Sequence, residues 1–272
     1  MRDIEKMGRH SLRANVAVLT GASSGIGREL AIQLAQEGAW LTLAARDLAK
    51  LEEVAQRCRQ HGGRVLTVPT DVTQESQCRD LVTRTVEEFG RIDTLINNAG
   101  IGLHARFDEI RDLSLLERVI QVNFYGSMYC THYALPHLKR TRGRLVAVSS
   151  LCGRFPTPTA AIYGASKHAL AGFFDSLRIE LADSDVSVTV IYPGWVATGI
   201  TSRALTAQGN PRGTVSAHED NAMPATVCAR LITQAVARRR REVVMTIRGK
   251  MGLWFRLIAP TYIDGVSLRT MR

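Results

Sequence analysis

The chain has 272 residues and a mass of 29.9 kDa, of which 45% of residues are hydrophobic and 22% charged. This ordinary globular composition excludes disorder, collagen and coiled coil. No window reaches the roughly 18 apolar residues of a membrane-spanning helix, and residues 1–13 lack the apolar stretch of a secretory signal. We therefore expect a cytoplasmic protein.

The cysteine content and the net charge limit which metals and binding partners we expect. Five dispersed cysteines without a CxxC pair favour free thiols over a disulfide framework or a zinc site, so we expect no metal. The net charge is +10, and the last 72 residues hold 12 basic and 4 acidic residues. We interpret this charge as solvated surface. The basic run 238–241 lacks a nucleic-acid reader motif, so we expect no nucleic-acid partner.

Short aliphatic runs alternate along the chain with longer amphipathic ones. The aliphatic runs predict strands, and the amphipathic runs predict helices. The strands are expected at residues 16–19, 41–44, 65–68, 94–96, 145–148, 186–191 and 243–247. The helices are expected at residues 25–37, 48–60, 75–89, within 115–139, at about 163–181 and at 225–237. Strict alternation predicts an α/β fold, a single-domain, doubly wound parallel sheet with helices on both faces.

A glycine-rich turn follows the first predicted strand directly. Glycines let the backbone bend sharply and approach a ligand, and the free amides of the next helix point at phosphates. The GxxxGxG spacing differs from GxGxxG and from the P-loop, and a plain tight connection remains the alternative. The residues that we assign to cofactor binding here are Gly21, Ser23, Ser24, Gly25, Ile26 and Gly27.

Polar segments also follow the third and fourth predicted strands. Parallel strands place their carboxyl ends at one edge, where an open sheet binds its ligand. Asp71 can accept hydrogen bonds from an adenine amino group, with Val72 beside it, and Asn98 and Ala99 can flank a ribose, followed by Gly100. Each segment alone is also a common turn sequence. Their conjunction at successive strand ends favours a nucleotide site.

A candidate chemical site follows the fifth strand. Ser150 stands at its end, and Tyr163 and Lys167 share one helix face because they are four residues apart. A nearby ammonium favours the ionised phenol, so we expect Lys167 to lower the pKa of Tyr163 and Ser150 to stabilise charge on a substrate oxygen. Taken separately, such pairs and caps arise by accident.

Taken together, these motifs resemble the short-chain dehydrogenase/reductase family, a Rossmann-type fold, over about residues 16–198. The resemblance implies that Tyr163 is the general acid/base, that Ser150 polarises the carbonyl, and that Lys167 also holds the nicotinamide ribose. It further implies that Asn123 anchors a water linked to Lys167. Thr198 would steady the carboxamide or the phosphates. Additional cofactor contacts are then expected at Pro193, Gly194 and Val196.

The end of the second strand predicts the cofactor. A ribose 2′-hydroxyl is usually held by an acid there, whereas a 2′-phosphate needs that acid absent and a cation nearby. The family's acidic position aligns with Ala45, and Arg46 follows, whose planar fork suits a phosphate. Asp47 is better explained as the N-cap of the next helix. We therefore predict NADP(H).

The sequence also predicts the domain boundaries and the function. We assign residues 1–14 to an N-terminal extension, 15–248 to the dinucleotide-binding catalytic domain with a lid at about 199–222, and 249–272 to a basic, apolar C-terminal arm. We predict an NADP(H)-dependent oxidoreductase interconverting an alcohol and a carbonyl, with a hydrophobic small-molecule substrate. A non-catalytic NADP(H)-binding regulator or scaffold is the alternative.

Two expectations concern assembly. The resemblance implies a homodimer or homotetramer paired through the helices within 115–139 and 163–181. For the C-terminal arm, we favour packing on its own subunit or a neighbour, because such apolar clusters are ordinarily buried. Docking on an anionic membrane surface stays open as the alternative, because the arm mixes apolar and cationic residues.

Overall fold

Parallel pairing joins seven strands into one sheet in the computed structural model, which describes residues 11–214 and 222–269. The strand order is β3-β2-β1-β4-β5-β6-β9, and every neighbouring pair is parallel. The sheet strands are β1 (Val16–Thr20), β2 (Trp40–Ala45), β3 (Val65–Pro69), β4 (Thr94–Asn97), β5 (Arg144–Val148), β6 (Ser187–Tyr192) and β9 (Glu242–Val244). A small parallel pair joins β7 (Val196–Ala197) to β8 (Met223–Pro224).

Helices cover both faces of this sheet, as predicted. They are α1 (Gly25–Gln36), α2 (Leu48–Arg59), α3 (Glu75–Phe89), α4 (Ser114–Ile120), α5 (Gly126–Thr141), α6 (Ala161–Glu180), α7 (Ile200–Arg203), α8 (Ala225–Ala237), α9 (Ile247–Ile258) and α10 (Pro260–Arg269). The core on one face is built from α1, α2 and α8, and the core on the other from α3, α5 and α6. The sheet is therefore doubly wound.

The strand order reverses between β1 and β4. The chain runs outward from β1 to β2 and β3, then returns to place β4 on the other side of β1. At such a switch point the connections leave in opposite directions, which opens a crevice at the carboxyl ends of the strands. The glycine turn lies at this point, because it connects β1 to α1.

The predicted long helix within residues 115–139 is interrupted. A π-helical turn, Gln121–Tyr125, separates α4 from α5. At the start of α5, a Cβ on Gly126 would lie 2.7 Å from Val72 Cγ2, so only glycine lets the helix approach the β3–α3 connection this closely. The helix periodicity alone does not indicate this interruption.

The segment predicted as a loose lid is packed as far as the structure describes it. Helix α7 begins it, and Leu205 forms a parallel bridge with Leu103. Leu205 and Ala207 join Leu103, Ala105 and Leu115 in a third small apolar core. The remainder of the predicted lid, residues 215–221, lies outside the described residues, as do residues 1–10 of the predicted N-terminal extension.

The C-terminal prediction needs two corrections. The last strand is Glu242–Val244 and not residues 243–247, because Ile247 begins α9 with Thr246 as its N-cap. The arm beyond it folds into α9 and α10, and apart from Leu253 its apolar cluster is exposed instead of packed on its own subunit. Packing on a neighbouring subunit stays a prediction. Within the described residues, we find no helix long and apolar enough to cross a membrane.

The basic run 238–241 contributes to the fold. Arg239 Nη1 donates to the carbonyl oxygens of Gly143 (3.0 Å) and Asp185 (3.2 Å), and Arg239 Nη2 donates to that of Arg142 (2.6 Å). The carbonyl of Arg241 accepts from Val190 N at 3.1 Å. The Arg239 side chain therefore joins the turn before β9 to the loops before β5 and β6, and the Arg241 backbone joins it to β6.

Candidate active site

The glycine turn has the conformation that its sequence predicts. Gly21 and Gly25 adopt φ angles of +65° and +55°, which disfavour residues with a side chain. A Cβ on Gly27 would overlap the carbonyl oxygen of Gly21. Ser24 is the N-cap of α1, yet its side chain makes no capping hydrogen bond, and the first turn holds no acidic residue. The amides of this helix start are thus left for an anion.

Thr20, the last residue of β1, ties the glycine turn to β4. Its Oγ1 accepts from Asn98 N and Ala99 N, both at 3.0 Å. Asn98 Nδ2 donates to the carbonyl oxygens of Thr20 (3.0 Å) and Gly21 (3.2 Å). The Asn98 side chain therefore holds the turn, and its predicted position beside a ribose stays a prediction. Thr20 begins the glycine-rich motif, but its role in this contact was not predicted, although its position at the strand end was a usable signal.

Asp71 closes a turn of its own at the end of β3. Its Oδ1 accepts from Thr73 N (3.0 Å) and Thr73 Oγ1 (2.8 Å). Val72 is buried against Gly126. The fold brings Asp71 to the same sheet edge as the glycine turn, and its contact with adenine stays a prediction.

The end of β2 lies beside the glycine turn, because Ala22 N donates to the Ala44 carbonyl oxygen at 3.1 Å. The next residue, Ala45, is half-buried, and Arg46 is exposed. Asp47 Oδ1 accepts from Lys50 N at 3.1 Å, which confirms the N-cap prediction, and its other oxygen pairs with Lys50 Nζ at 2.9 Å.

Ser150, Tyr163 and Lys167 meet at the carboxyl end of β5. Tyr163 and Lys167 lie on α6, with Lys167 Nζ 5.9 Å from the Tyr163 ring centre. The Ser150 side chain is close enough to the Tyr163 phenol to lower its pKa through hydrogen bonding. Lys167 is buried, and its Nζ donates to the carbonyl oxygen of Val148 at 2.9 Å. The structure thus brings the three predicted residues together.

The expected effect of Lys167 on the phenol is wrong for this structure. Burial raises the pKa of Tyr163 above its ordinary value, nearby Cys152 adds to the rise, and the Ser150 hydrogen bond opposes it. Burial also lowers the pKa of Lys167 to about 8. Burial in a low-dielectric site disfavours the charged form of both side chains, and the partner of the ammonium is the Val148 carbonyl.

Asn123 acts as a clamp. Its side chain is fully buried in the π-helical turn, with Oδ1 accepting from Ile101 N (2.8 Å) and Nδ2 donating to Ile101 O and Ser166 Oγ (both 3.0 Å). Ser166 Oγ in turn donates to the Tyr163 carbonyl at 2.7 Å. The amide therefore fixes the loop after β4 against α6, and the water that we expect Asn123 to anchor stays a prediction. Beside it, a Cβ on Gly100 would lie 3.2 Å from Asn123 Oδ1.

Ser149 is a second residue that the sequence analysis missed. Its Oγ donates to the carbonyl oxygen of Lys167 at 3.0 Å, and a Cβ on Gly153 would lie 2.7 Å from that Oγ. The buried hydroxyl holds α6 against the end of β5. Its neighbour Ser150 uses its Oγ to accept from Cys152 N at 3.2 Å. The Ser-Ser sequence was the signal, but only packing distinguishes the two roles.

The segment after β6 closes the site from the other side. The Pro193 carbonyl accepts from Leu151 N at 2.9 Å, and Gly194 lies against Thr246. Val196 is buried in the core, while Thr198 Oγ1 accepts from Ile200 N at 3.3 Å. A Cβ on Gly25 would lie 3.0 Å from Thr198 Cβ, so this segment reaches the glycine turn.

A parallel sheet with a glycine turn at its switch point is the architecture of dinucleotide-dependent oxidoreductases. The family model for short chain dehydrogenase matches residues 15–209. This protein belongs to the short-chain dehydrogenase family and is an oxidoreductase acting on CH-OH donors.

Individual relatives agree with this assignment. The chain is 37% identical over 250 residues to 11-beta-hydroxysteroid dehydrogenase-like 4A of Arabidopsis thaliana, covering 92% of this chain and 82% of that protein. Its fold resembles a Burkholderia phymatum short chain dehydrogenase/reductase in complex with NAD (TM-score 0.82, 27% identity, 93% and 96% covered). It also resembles a Thermococcus sibiricus alcohol dehydrogenase complexed with 5-hydroxy-NADP (TM-score 0.72, 26% identity, 84% and 94% covered).

Replacing Lys167 by Met should change how stability depends on pH. Between about pH 8 and the unfolded value near 10.5, unfolded lysine binds more protons than the buried Lys167, so wild-type stability gains a contribution as pH rises. We expect wild type to gain about 1 to 2 kcal/mol of unfolding free energy relative to Lys167→Met between about pH 7 and 9.5. Urea denaturation at both pH values measures the difference.

The exposed Lys139 on α5 provides the control, because Lys139→Met should leave the pH profile of wild type unchanged. Burial raises the pKa of Cys58 to about 11 and of Cys228 to about 12, but both thiols remain in the variants and cancel in the comparison. Parallel stability profiles for wild type and Lys167→Met would contradict the lowered pKa.

Proposed function

We propose that this protein interconverts a hydrophobic secondary alcohol and its ketone with NADP(H). The convergence of Ser150, Tyr163 and Lys167 beside the glycine turn is the observation that carries the proposal. The turn fits a dinucleotide, since the α1 amides lack a side-chain cap and the first turn of α1 holds no acidic residue. Bound there, the cofactor supplies or accepts the hydride.

The side chains have separate roles in this mechanism. The Tyr163 hydroxyl gives its proton to the ketone oxygen during reduction, and the Tyr163 phenolate takes that proton back in oxidation. Ser150 donates to the same oxygen and stabilises charge that develops there. Lys167, buried behind Tyr163, restores the proton and holds the ribose.

An apolar cluster next to the residue before Tyr163 favours a hydrophobic substrate. The loop after β4 and the lid together form the small core of Leu103, Ala105, Leu205 and their neighbours, with Ile162 packed against it. The similar plant proteins are named 11-beta-hydroxysteroid dehydrogenases, which supports a bulky apolar alcohol. Turnover with a panel of steroid and long-chain ketones, followed through NADPH oxidation, tests this substrate class.

Changing Tyr163 to Phe should abolish most turnover. The variant removes the proton donor and leaves the glycine turn intact, so kcat should fall by about 100-fold or more while cofactor affinity stays within about twofold. NADPH oxidation and fluorescence titration of NADPH measure the two quantities. Tyr133→Phe, the same change on the exposed part of α5, is the control. Retention of more than about a tenth of wild-type turnover would refute the role of Tyr163.

The NADP(H) preference rests on the end of β2. Position 45 is an alanine and supplies no carboxylate, and the Asp47 carboxylate is held as a helix cap. Within residues 11–214 and 222–269, Arg46 forms no ion pair. An arginine beside the ribose binds a 2′-phosphate through charge-assisted hydrogen bonds. The structures of similar proteins hold either an NADP analogue or NAD, so the preference is a proposal for this chain.

Arg46→Ala should raise the Michaelis constant for NADP⁺ about tenfold or more and leave that for NAD⁺ within about twofold. Ala45→Asp should reverse the preference, because the carboxylate repels the phosphate and accepts from the ribose. Steady-state kinetics with both cofactors provide the measurement. Arg84→Ala removes an exposed arginine from α3 as the control. Comparable wild-type kcat/KM for NADP⁺ and NAD⁺ would overturn the assignment.

We also propose a homodimer or homotetramer paired through α5, the turn before it, and α6. Aromatic rings line this surface: Phe124 contacts Phe173 (centroids 6.1 Å), and the exposed Tyr125 stacks on Tyr129 (6.2 Å). Sedimentation at micromolar concentration should show a species of at least twice the chain mass, and Tyr125→Glu should weaken it. Leu48→Glu, on α2, is the control. A species of about 30 kDa alone would remove the proposal.

A further inference from the structure

The outward face of α9 is apolar. Ile247, Met251, Trp254 and Ile258 are 76%, 54%, 73% and 77% exposed. Their spacing of four, three and four residues places them on one stripe of the helix. Leu257 on α9 and Tyr262, Val266 and Leu268 on α10 are also apolar and exposed. An exposed apolar stripe of this kind marks an interaction site.

The opposite side of α9 is fixed to the domain. A Cβ on Gly249 would lie 2.9 Å from Leu151 Cδ2, and a Cβ on Gly252 would lie 3.0 Å from the Phe155 ring. Leu253 packs against the core between the sheet and α6. Because the other face of α9 is packed on the domain, the stripe faces outward. Helix α9 is therefore not an undocked tail.

Two cations flank the stripe. By helical spacing Arg248 and Lys250 lie on either side of it, whereas Arg256 lies on the opposite side of α9. Residues 247–258 contain no acidic residue, and α10 contains one, Asp264. Lys250 also lines a cavity of about 300 Å³ together with Arg238 and Arg240. One acid lines this cavity as well, Glu242, and it is paired with Arg154 at 2.7 Å. The surroundings of the apolar stripe are thus strongly basic.

A second copy of the chain is a poor occupant for this surface. In a two-fold contact of α9 against α9, the partner helix offers no acidic residue to pair with Arg248 and Lys250, because residues 247–258 contain none. An anionic bilayer supplies both an apolar interior and negative headgroups, and an interfacial position suits the Trp254 indole. We propose that α9 and α10 dock this protein on the surface of an anionic phospholipid bilayer, with the stripe at the acyl boundary and the cations against the headgroups.

Docking in this orientation concerns the candidate active site directly. Leu151, on which α9 packs through Gly249, follows Ser150 in the chain. Helix α9 would therefore lie between the bilayer and the segment that carries a residue of the site, which places that segment about one helix diameter from the bilayer. The relevance of this position to an apolar substrate rests on the proposed function, whereas the docking itself does not.

The test is flotation of the full chain with vesicles. Phosphatidylcholine vesicles containing about 30% phosphatidylserine are compared with phosphatidylcholine alone. Wild type should float with the anionic vesicles only, and Ile258→Glu should lower the bound fraction about tenfold. Ile179→Glu makes the same change at a residue 73% exposed on α6 and should bind like wild type. Circular dichroism and thermal melting verify that both variants are folded.

Every other outcome counts against the proposal. Wild type that stays with the unbound protein in both mixtures overturns it, and so does equal flotation with neutral and anionic vesicles. If Ile258→Glu and Ile179→Glu lower the vesicle-bound fraction equally, the stripe is not the surface that contacts the bilayer. If wild type fails to float while Ile258→Glu alone lowers the sedimenting mass, the stripe is an interface between copies of the chain. None of these readouts depends on turnover.

Discussion

The hydrogen bonds that join the glycine turn to the end of β4 are the constraint on which the site depends. Thr20 accepts from two amides of the β4 end, and Asn98 donates to two carbonyls of the turn. This contact fixes the turn where the strand order reverses, so the α1 amides face the crevice. The absence of a side chain at Gly27 is a consequence of the same contact, because the Gly21 carbonyl occupies that space.

Burial governs the electrostatics of the Tyr163 and Lys167 pair. The low-dielectric surroundings disfavour both charged forms, and the Val148 carbonyl, not the phenol, is the partner of the ammonium. A phenol that keeps its proton is suited to act as an acid toward a carbonyl oxygen. The same burial strengthens the interaction of that oxygen with Ser150, since charge developing there is poorly screened by water.

Helix α9 packs closely on the domain with one face and exposes apolar side chains on the other. Its glycines, Gly249 and Gly252, let it lie close to the segment after Ser150, so it closes one side of the domain near the site. Its long apolar side chains then point away from the domain. The small residues that make the inner face compact thereby determine which residues form the outer one.

The sequence by itself determined the doubly wound parallel sheet, the glycine turn, the Asp47 cap and the grouping of Ser150, Tyr163 and Lys167. These features follow from local periodicity, turn chemistry and the rule that parallel strands end at one edge. Only the tertiary structure decided that Asn123 clamps a loop, that burial reverses the expected pKa direction of the phenol, and that the C-terminal apolar residues face outward. Desolvation and hydrogen-bond partners depend on atoms brought together from distant parts of the chain, and an apolar pattern does not reveal which face of a helix the core will cover.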